Sequence, residues 1–260
     1  MFAELDGTRI AYPWGMDSGY YAACSALVAR EQALDTIANN LANVSTVGYR
    51  AQKTVFSSVL ADASDAGASP LQNAINSYGI MGDTTLDQSQ GALNKTGNEL
   101  DAAIQGPGYF VVQTANGPMY TRNGSFQVSG KGQLVTASGD AVMGDGGVIH
   151  MPPGKISISP DGTISTNGAI SGKLHVVEFP PSAKLASVGN NYYSAPANTA
   201  QDSTNSDVRQ GFLESSNVNP ILGMVELVTA QRDAESMQRV LSMFNSEMDK
   251  TATQDLPKVG

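Results

Sequence analysis

Apolar residues near the start of the chain recur in alternating steps of four and three, from about Ser18 to Asn43. This spacing places them on one side of a single long helix and is typical of a heptad seam. Ser18 is a suitable N-cap, and Gly48 ends the element because glycine readily adopts the left-handed conformation that stops a helix. The predicted seam consists of Tyr20, Cys24, Leu27, Glu31, Leu34, Ala38 and Leu41, widened by Ile37.

A second repeat of the same kind occupies the C-terminal end of the chain. Asn219 followed by Pro220 predicts an N-cap and a first helical residue, where proline is well tolerated. The unbroken three-four spacing that follows predicts a second long helix. Its seam consists of Leu227, Ala230, Ala234, Met237, Leu241, Phe244 and Met248.

Residues from about 97 to 209 alternate with a period of two and are dense in turn residues. Tyr109 to Val112 is a continuous apolar run that predicts a buried strand, and Asn123-Gly124 predicts a hairpin. The preceding residues, 61–96, are polar and rich in Gly, Ser and Asp, which indicates an extended connector. The pattern predicts an α+β fold with long N- and C-terminal α-helices paired as a coiled-coil-like helical domain and a mainly antiparallel β middle domain.

Composition narrows the possible functions. The 24 acidic residues outnumber the 15 basic ones, and a net charge of −9 disfavours binding to nucleic acid because it repels phosphate. Cys24 is the single cysteine, which excludes an internal disulfide and a zinc site built from several thiolates. The sequence has no run of about 18 apolar residues, so we expect no direct membrane insertion. We also expect no cleaved signal peptide, because the N-terminus has no apolar core.

The sequence predicts no catalytic, cofactor-binding or metal-binding residues, and so no enzyme. Ser125, His150 and Asp161 are the types found in a hydrolytic triad, but the Gly-x-Ser-x-Gly elbow is missing. His150 and His175 are the two histidines, and the sequence places each in a structural setting.

Three segments resemble the bacterial flagellar axial proteins, the rod and hook family. The run Ile37 to Ala51, IANNLANVSTVGYRA, is similar to the N-terminal motif of that family. The run Gly211 to Pro220, GFLESSNVNP, resembles the element that opens its C-terminal helix, and Tyr120 to Val128, with Gly132 to Val135, resembles its middle domain. The resemblance is greatest to the proximal-rod member, with the distal-rod member as the near alternative.

The resemblance implies a structural subunit of the flagellar basal-body rod, a hollow periplasmic drive shaft for motility. Implied partners are copies of the chain itself, other flagellar rod proteins and the flagellar type III export apparatus. Met16-Asp17-Ser18 resembles the usual start of the family. The predicted boundaries are a disordered extension (1–15), the N-terminal helix and following turn (16–60), the connector (61–96), the β-rich middle domain (97–210) and the C-terminal helix (211–260).

The terminal helices are the predicted assembly interface, because one seam alone buries too few side chains to offset the backbone entropy of a long helix. An ordinary two-helix coiled coil within one chain is the alternative for these seams. One alternative function is a secreted β-rich binding module, adhesin or tail-like, which exposed Tyr192 and Tyr193 would support. Another alternative is a distal rod or hook subunit of the same family. The predicted interface residues are Leu27, Leu34, Ile37, Leu41, Leu227, Ala234, Met237, Leu241 and Phe244.

Overall fold

The computed structural model describes residues 14–58, 80–180 and 183–254. Within these ranges the chain forms two helices, α1 (Trp14–Ala42) and α2 (Pro220–Gln254). The remaining elements are strands. In chain order they are β1 (Gln52–Ser58), β2 (Ile80–Leu86), β3 (Leu93–Lys95), β4 (Ala102–Gln105), β5 (Tyr109–Thr114), β6 (Gly117–Thr121), β7 (Phe126–Val128), β8 (Leu134–Thr136), β9 (Ala141–Gly144), β10 (Gly147–Val148), β11 (Ile156–Ile158), β12 (Thr163–Thr166), β13 (Ala169–Lys173), β14 (Val176–Glu178), β15 (Ala186–Gly189), β16 (Tyr192–Ser194), β17 (Gln201–Asp202), β18 (Asp207–Gln210) and β19 (Phe212–Glu214).

The described chain divides into two compact units. One comprises the described parts of residues 1–35, 54–83 and 226–260, and the other comprises 36–53 and 84–225. The predicted extension lies outside the described residues except for Trp14 and Gly15, which belong to α1, and residues 59–79 of the predicted connector also lie outside them. The predicted domain boundaries stay predictions.

The larger unit is built around a sheet that runs β15-β16-β6-β5-β9-β8-β7, with β14, β17 and β10 paired alongside it. Strand β5 has core on both of its faces: Phe110 and Val112 pack in one apolar cluster, while Tyr109 and Val111 pack in the other. Alternate residues of a strand point to opposite faces, so a strand covered on both sides is continuously apolar. The structure therefore has the buried strand that the sequence predicts at this place.

Small sheets complete the larger unit: β11-β12-β13 forms one, β18 pairs with β4, and β19 pairs with β3. The strands of the larger unit pair antiparallel throughout its described residues. The β19–β3 pair brings the segment that precedes α2 back onto the segment near residue 95, with Glu214 opposite Leu93.

The predicted hairpin at Asn123-Gly124 is wrong. Strand β6 ends at Thr121 and pairs with β5 and β16, whereas β7 pairs with β8. The link between them instead packs against β4, a strand of a different sheet: the amide of Ala102 donates to the carbonyl of Gly124 at 3.0 Å. A Cβ added at Gly124 would lie 1.6 Å from the carbonyl oxygen of Ala102, so this glycine serves a close backbone approach rather than a two-residue turn.

The predicted fold class is also wrong. Two helices are present in the described ranges, most of the remaining elements are antiparallel strands, and the helices are not paired as a coiled coil. A coiled coil buries its seam residues in holes of the partner helix. Here Leu27, Leu34 and Leu241 are only half-buried, and Glu31 is exposed.

Small side chains occupy the covered positions of the helices in the smaller unit. Ala29, which lies off the predicted seam, is buried, as are Ala230 and Ala234 on α2. Arg30 of α1 lies 3.6 Å from Asp233 of α2 in an exposed ion pair. Helix α1 also begins at Trp14, ahead of the predicted cap at Ser18, while α2 begins at the predicted Pro220.

Asn219 caps α2 as the sequence predicts. Its side-chain oxygen accepts hydrogen bonds from the amides of Ile221 at 3.0 Å and Leu222 at 3.2 Å. These are among the helix-terminal amides that have no partner within the helix. The side-chain bonds fix the first turn of α2 directly after the β19 segment.

Candidate assembly site

The three segments that resemble the flagellar family meet in one buried ion cluster. Arg50, from the N-terminal motif, places Nη1 2.7 Å from Oε1 of Glu214 in the C-terminal motif. Arg122, from the middle motif, places Nη1 3.2 Å from the other carboxylate oxygen of Glu214. All three side chains are at most 1% exposed. We call these three residues the buried triad.

Backbone groups hold the triad in place. The amide of Gly48 donates to the carbonyl of Glu214 at 2.7 Å, and the amide of Gly91 donates to its Oε1 at 2.8 Å. Arg50 donates to the carbonyl of Ser89, and Nη2 of Arg122 donates to the carbonyl of Gly106 at 2.8 Å. The triad therefore joins segments that lie far apart along the chain.

An aromatic pair lies beside the triad. The guanidinium carbon of Arg122 is 4.7 Å from the ring centroid of Tyr109, a cation–π distance. The hydroxyl of Tyr193 accepts a hydrogen bond from the amide of Arg50 at 3.0 Å and donates to Oδ1 of Asn191 at 3.2 Å. Burial raises the pKa of Tyr193 well above its ordinary value, so its hydroxyl stays protonated.

Charge in the triad is unbalanced, because two guanidinium groups share one carboxylate. Burial and the nearby charge of Arg50 lower the pKa of Arg122, while Glu214 opposes that change. Among the described residues, Nε and Nη2 of Arg50 and Nε of Arg122 have no hydrogen-bond partner. Glu214 is thus the group that offsets the desolvation of both arginines.

Two asparagine side chains connect the helix ends to the strands. Nδ2 of Asn40 donates to the carbonyl of Gln52 at 2.7 Å, and its Oδ1 accepts from the amide of Gln52 at 2.8 Å, which reproduces a backbone-like pair. Oδ1 of Asn217 accepts from the amide of Ala51 at 2.7 Å, and its Nδ2 donates to the carbonyl of Asp87 at 2.9 Å. These amides satisfy backbone groups without burying a further charge.

The sequence did not predict this junction as a site. Arg50, Arg122 and Glu214 each lie in a segment that resembles the family, but nothing local to any one of them indicates that the three side chains meet. The available signal was that each motif contains a charged residue two or three positions from a glycine, namely Gly48, Gly124 or Gly211.

The assembly interface stays a prediction, and its residues differ in their burial. Ala234 is buried, and the side chain of Phe244 lies outside the described part of the chain. The other seven, Leu27, Leu34, Ile37, Leu41, Leu227, Met237 and Leu241, are half-buried.

A second apolar face of α2 was not predicted. Seven of the twelve large hydrophobic residues that are exposed in the described chain lie on this helix. Ile221, Met224 and Val228 recur in steps of three and four, and at 100° per residue they fall on a different face from Leu227 and Ala234. This second stripe is visible in the sequence, but the interface was predicted from the longer seam of Leu227 to Met248 alone.

Other kinds of site have less support. Tyr192 and Tyr193, whose exposure would favour a binding module, are 7% and 1% exposed. The described residues contain no group of three or more His, Cys, Asp and Glu side chains able to hold a metal ion. His175 instead places Nδ1 3.0 Å from Asp145. Neither α1 nor α2 carries an apolar stretch that could span a lipid bilayer.

Comparison with protein-family models matches three parts of the chain. Residues 21–50 match "Flagella basal body rod protein", residues 103–166 match "Flagellar hook protein FlgE/F/G D1 domain", and residues 209–255 match "Flagellar basal body rod FlgEFG protein C-terminal". Each matched segment contributes one member of the buried triad.

Curated relatives match over almost the whole chain. Flagellar basal-body rod protein FlgF of Mesorhizobium japonicum is 33% identical over 241 residues, which cover 90% of this chain and 96% of that protein. FlgF of Caulobacter vibrioides is 32% identical, covering 94% and 100%, and flagellar basal-body rod protein FlgG of Bacillus subtilis is 33% identical, covering 85% and 93%. With three matched segments and relatives of this identity along its length, the chain belongs to the flagellar basal-body rod protein family.

Proposed function

We propose that this structural rod subunit binds neighbouring subunits through the faces of its two terminal helices. The observation that carries the proposal is the concentration of exposed apolar side chains on α2. Ile221 is 76% exposed, and Met224 and Val228 are also exposed. Contiguous apolar surface of this kind marks interaction sites on proteins that are otherwise polar at their surface.

The free energy available from these residues fits a multi-subunit contact. Full burial of Ile221, Met224 and Val228 would contribute about 1.5–3 kcal/mol each. Association itself costs roughly 4–15 kcal/mol in lost translational and rotational freedom. The burial of one such face therefore gains about as much free energy as association costs. Stable binding then requires each subunit to contact several neighbours, as it would in a polymer.

Head-to-tail contacts that do not close generate a helical tube. We propose that the half-buried predicted residues, such as Leu27 and Leu241, complete such contacts together with the exposed face. The proposed partners are further copies of the chain and other rod proteins. The proposed route is export by the flagellar type III apparatus to a periplasmic position in the basal body.

The test compares two isoleucines of equal exposure. Ile221→Asp introduces a charge on the proposed face; because an acidic residue in the first turn interacts favourably with the helix dipole, it leaves α2 intact. Ile170 is 77% exposed and belongs to strand β13 rather than to a helix, so Ile170→Asp is the matched control. Each variant is expressed in cells whose own copy has been deleted, and swimming is measured.

The proposal predicts that Ile221→Asp abolishes or strongly reduces swimming, whereas Ile170→Asp restores it to the wild-type level. Circular dichroism of both purified variants verifies that each is folded. Equal swimming by the two variants would contradict a role for this face in subunit contacts.

A further inference from the structure

We propose that the buried triad of Arg50, Arg122 and Glu214 is a latch that makes closure of the larger unit conditional on docking of the C-terminal segment. The N-terminal motif and the middle segment each supply a buried cation, and residues 212–217 supply the anion. The proposal concerns one chain and does not depend on how subunits bind one another.

Glu214 is bound at every polar atom of its side chain and at its carbonyl. Its two carboxylate oxygens contact Arg50 and Arg122, Oε1 also accepts from the amide of Gly91, and its carbonyl accepts from the amide of Gly48. Among the described residues, no other carboxylate forms an ion pair with either arginine. The C-terminal segment therefore supplies the sole countercharge for two distant parts of the chain.

The arginines cannot compensate each other. Two guanidinium groups buried without an anion keep the desolvation penalty of both charges and add their mutual repulsion. Apart from Glu214, the described residues offer the cations the carbonyls of Ser89 and Gly106 and the ring of Tyr109. Until residues 212–217 dock, the motif near Arg50 and the segment near Arg122 should therefore stay open, and a chain without that segment should not close.

The net charge of the triad in different variants distinguishes a latch that depends on charge balance from one that depends only on packing. The wild-type triad has a net charge of +1. Glu214→Gln raises it to +2, Arg122→Met lowers it to 0, and the double variant returns it to +1. If charge balance decides closure, Arg122→Met partly rescues Glu214→Gln; if only shape matters, the two defects add.

The experiment is amide hydrogen exchange, followed by mass spectrometry, on the dilute full-length chain. For Glu214→Gln we expect exchange to rise at least about tenfold in both residues 48–52 and residues 120–124, since opening exposes both at once. Glu178→Gln is the control. Glu178 also accepts three hydrogen bonds, from Ser203, Asn205 and Ser206, but these lie in one loop, so exchange should rise only there.

The double variant Arg122→Met with Glu214→Gln should exchange more slowly in both segments than Glu214→Gln alone. Glu214→Asp keeps the charge on a shorter side chain and should show the same pattern at smaller amplitude, which covers the case in which Glu214→Gln does not fold. Unchanged exchange at residues 48–52 or 120–124 in Glu214→Gln, or faster exchange in the double variant, would overturn the latch.

Discussion

Asp87 lies just after β2, where its carboxylate is 2.7 Å from Nζ of Lys53 and accepts from the amide of Ser89 at 2.9 Å. Desolvation by burial raises the pKa of Asp87, but the hydrogen bonds from Lys53 and Ser89 and the charge of Lys53 outweigh it and lower the pKa to about 2. A carboxyl whose pKa is lower in the folded state stabilises the fold above its ordinary pKa of 3.8. That contribution is lost as the pH falls from about 4 to about 2.

Asp87→Asn should therefore lower the free energy of unfolding near pH 5 by no more than about 1 kcal/mol, because solvent screens this partly exposed pair. The difference between the variant and the wild type should shrink to a small remainder by about pH 2, where Asp87 is protonated in the unfolded chain and about half protonated in the folded one. Urea unfolding of both proteins at the two pH values measures it. The same difference at both would show that the ion pair is not its source.

Single residues of the buried triad illustrate what a sequence hides at this scale. The sequence neighbours of an arginine do not reveal whether it is buried, because burial depends on contacts with segments far along the chain. Arg122 and Glu214 are 92 residues apart. Asn219, in contrast, could be identified as a cap, because its hydrogen bonds are to residues two and three positions later.

At the scale of elements, hydrophobic periodicity located the helices but not their packing. Leu227 and Leu241 recur at helical spacing, yet small residues are what the structure buries on the helices: Ala29, Ala230 and Ala234. The hydrophobic period shows which residues share one face of a helix. Which face is buried depends on the segment that packs against the helix. The strand at Tyr109 to Val112 was predictable because both of its faces are covered. The Asn123-Gly124 hairpin was not, because a turn sequence does not specify the strand pairing on either side.

The turn between α1 and β1 depends on Gly48. Its φ is +69°, and an added Cβ would lie 2.5 Å from the backbone carbon of Arg122. Gly97 is a matched control, because its φ is +76° but an added Cβ would meet nothing within 4 Å. The two glycines therefore share the backbone strain of a substitution and differ only in crowding.

Gly97→Ala should lower the free energy of unfolding by about 1–2 kcal/mol, the cost of a left-handed residue with a side chain. Gly48→Ala should lose about 1–3 kcal/mol more, because backbone must move to admit the methyl group. Denaturant unfolding of the two variants measures the difference. Equal losses would show that the segments at residues 48 and 122 do not pack as closely as described.

At the scale of the whole molecule, the end of α1 and the start of α2 both belong to the larger unit. There Asn40, Asn217 and the buried triad bind them to the strands. The three matched family segments are those that build this junction. Helix α2 starts at this junction, and its first turns carry the exposed apolar face of Ile221, Met224 and Val228. The central claim is that this chain is a structural subunit of the rod, and we propose that the exposed apolar face of α2 binds its neighbours there.

The most direct test is the composition of basal bodies isolated from cells that produce this chain, compared with cells in which its gene is deleted. We predict that mass spectrometry recovers the chain from purified hook–basal bodies, and that electron microscopy of the deletion strain shows no complete rod. Complete rods in the deletion strain, or purified bodies that lack the chain, would contradict the account.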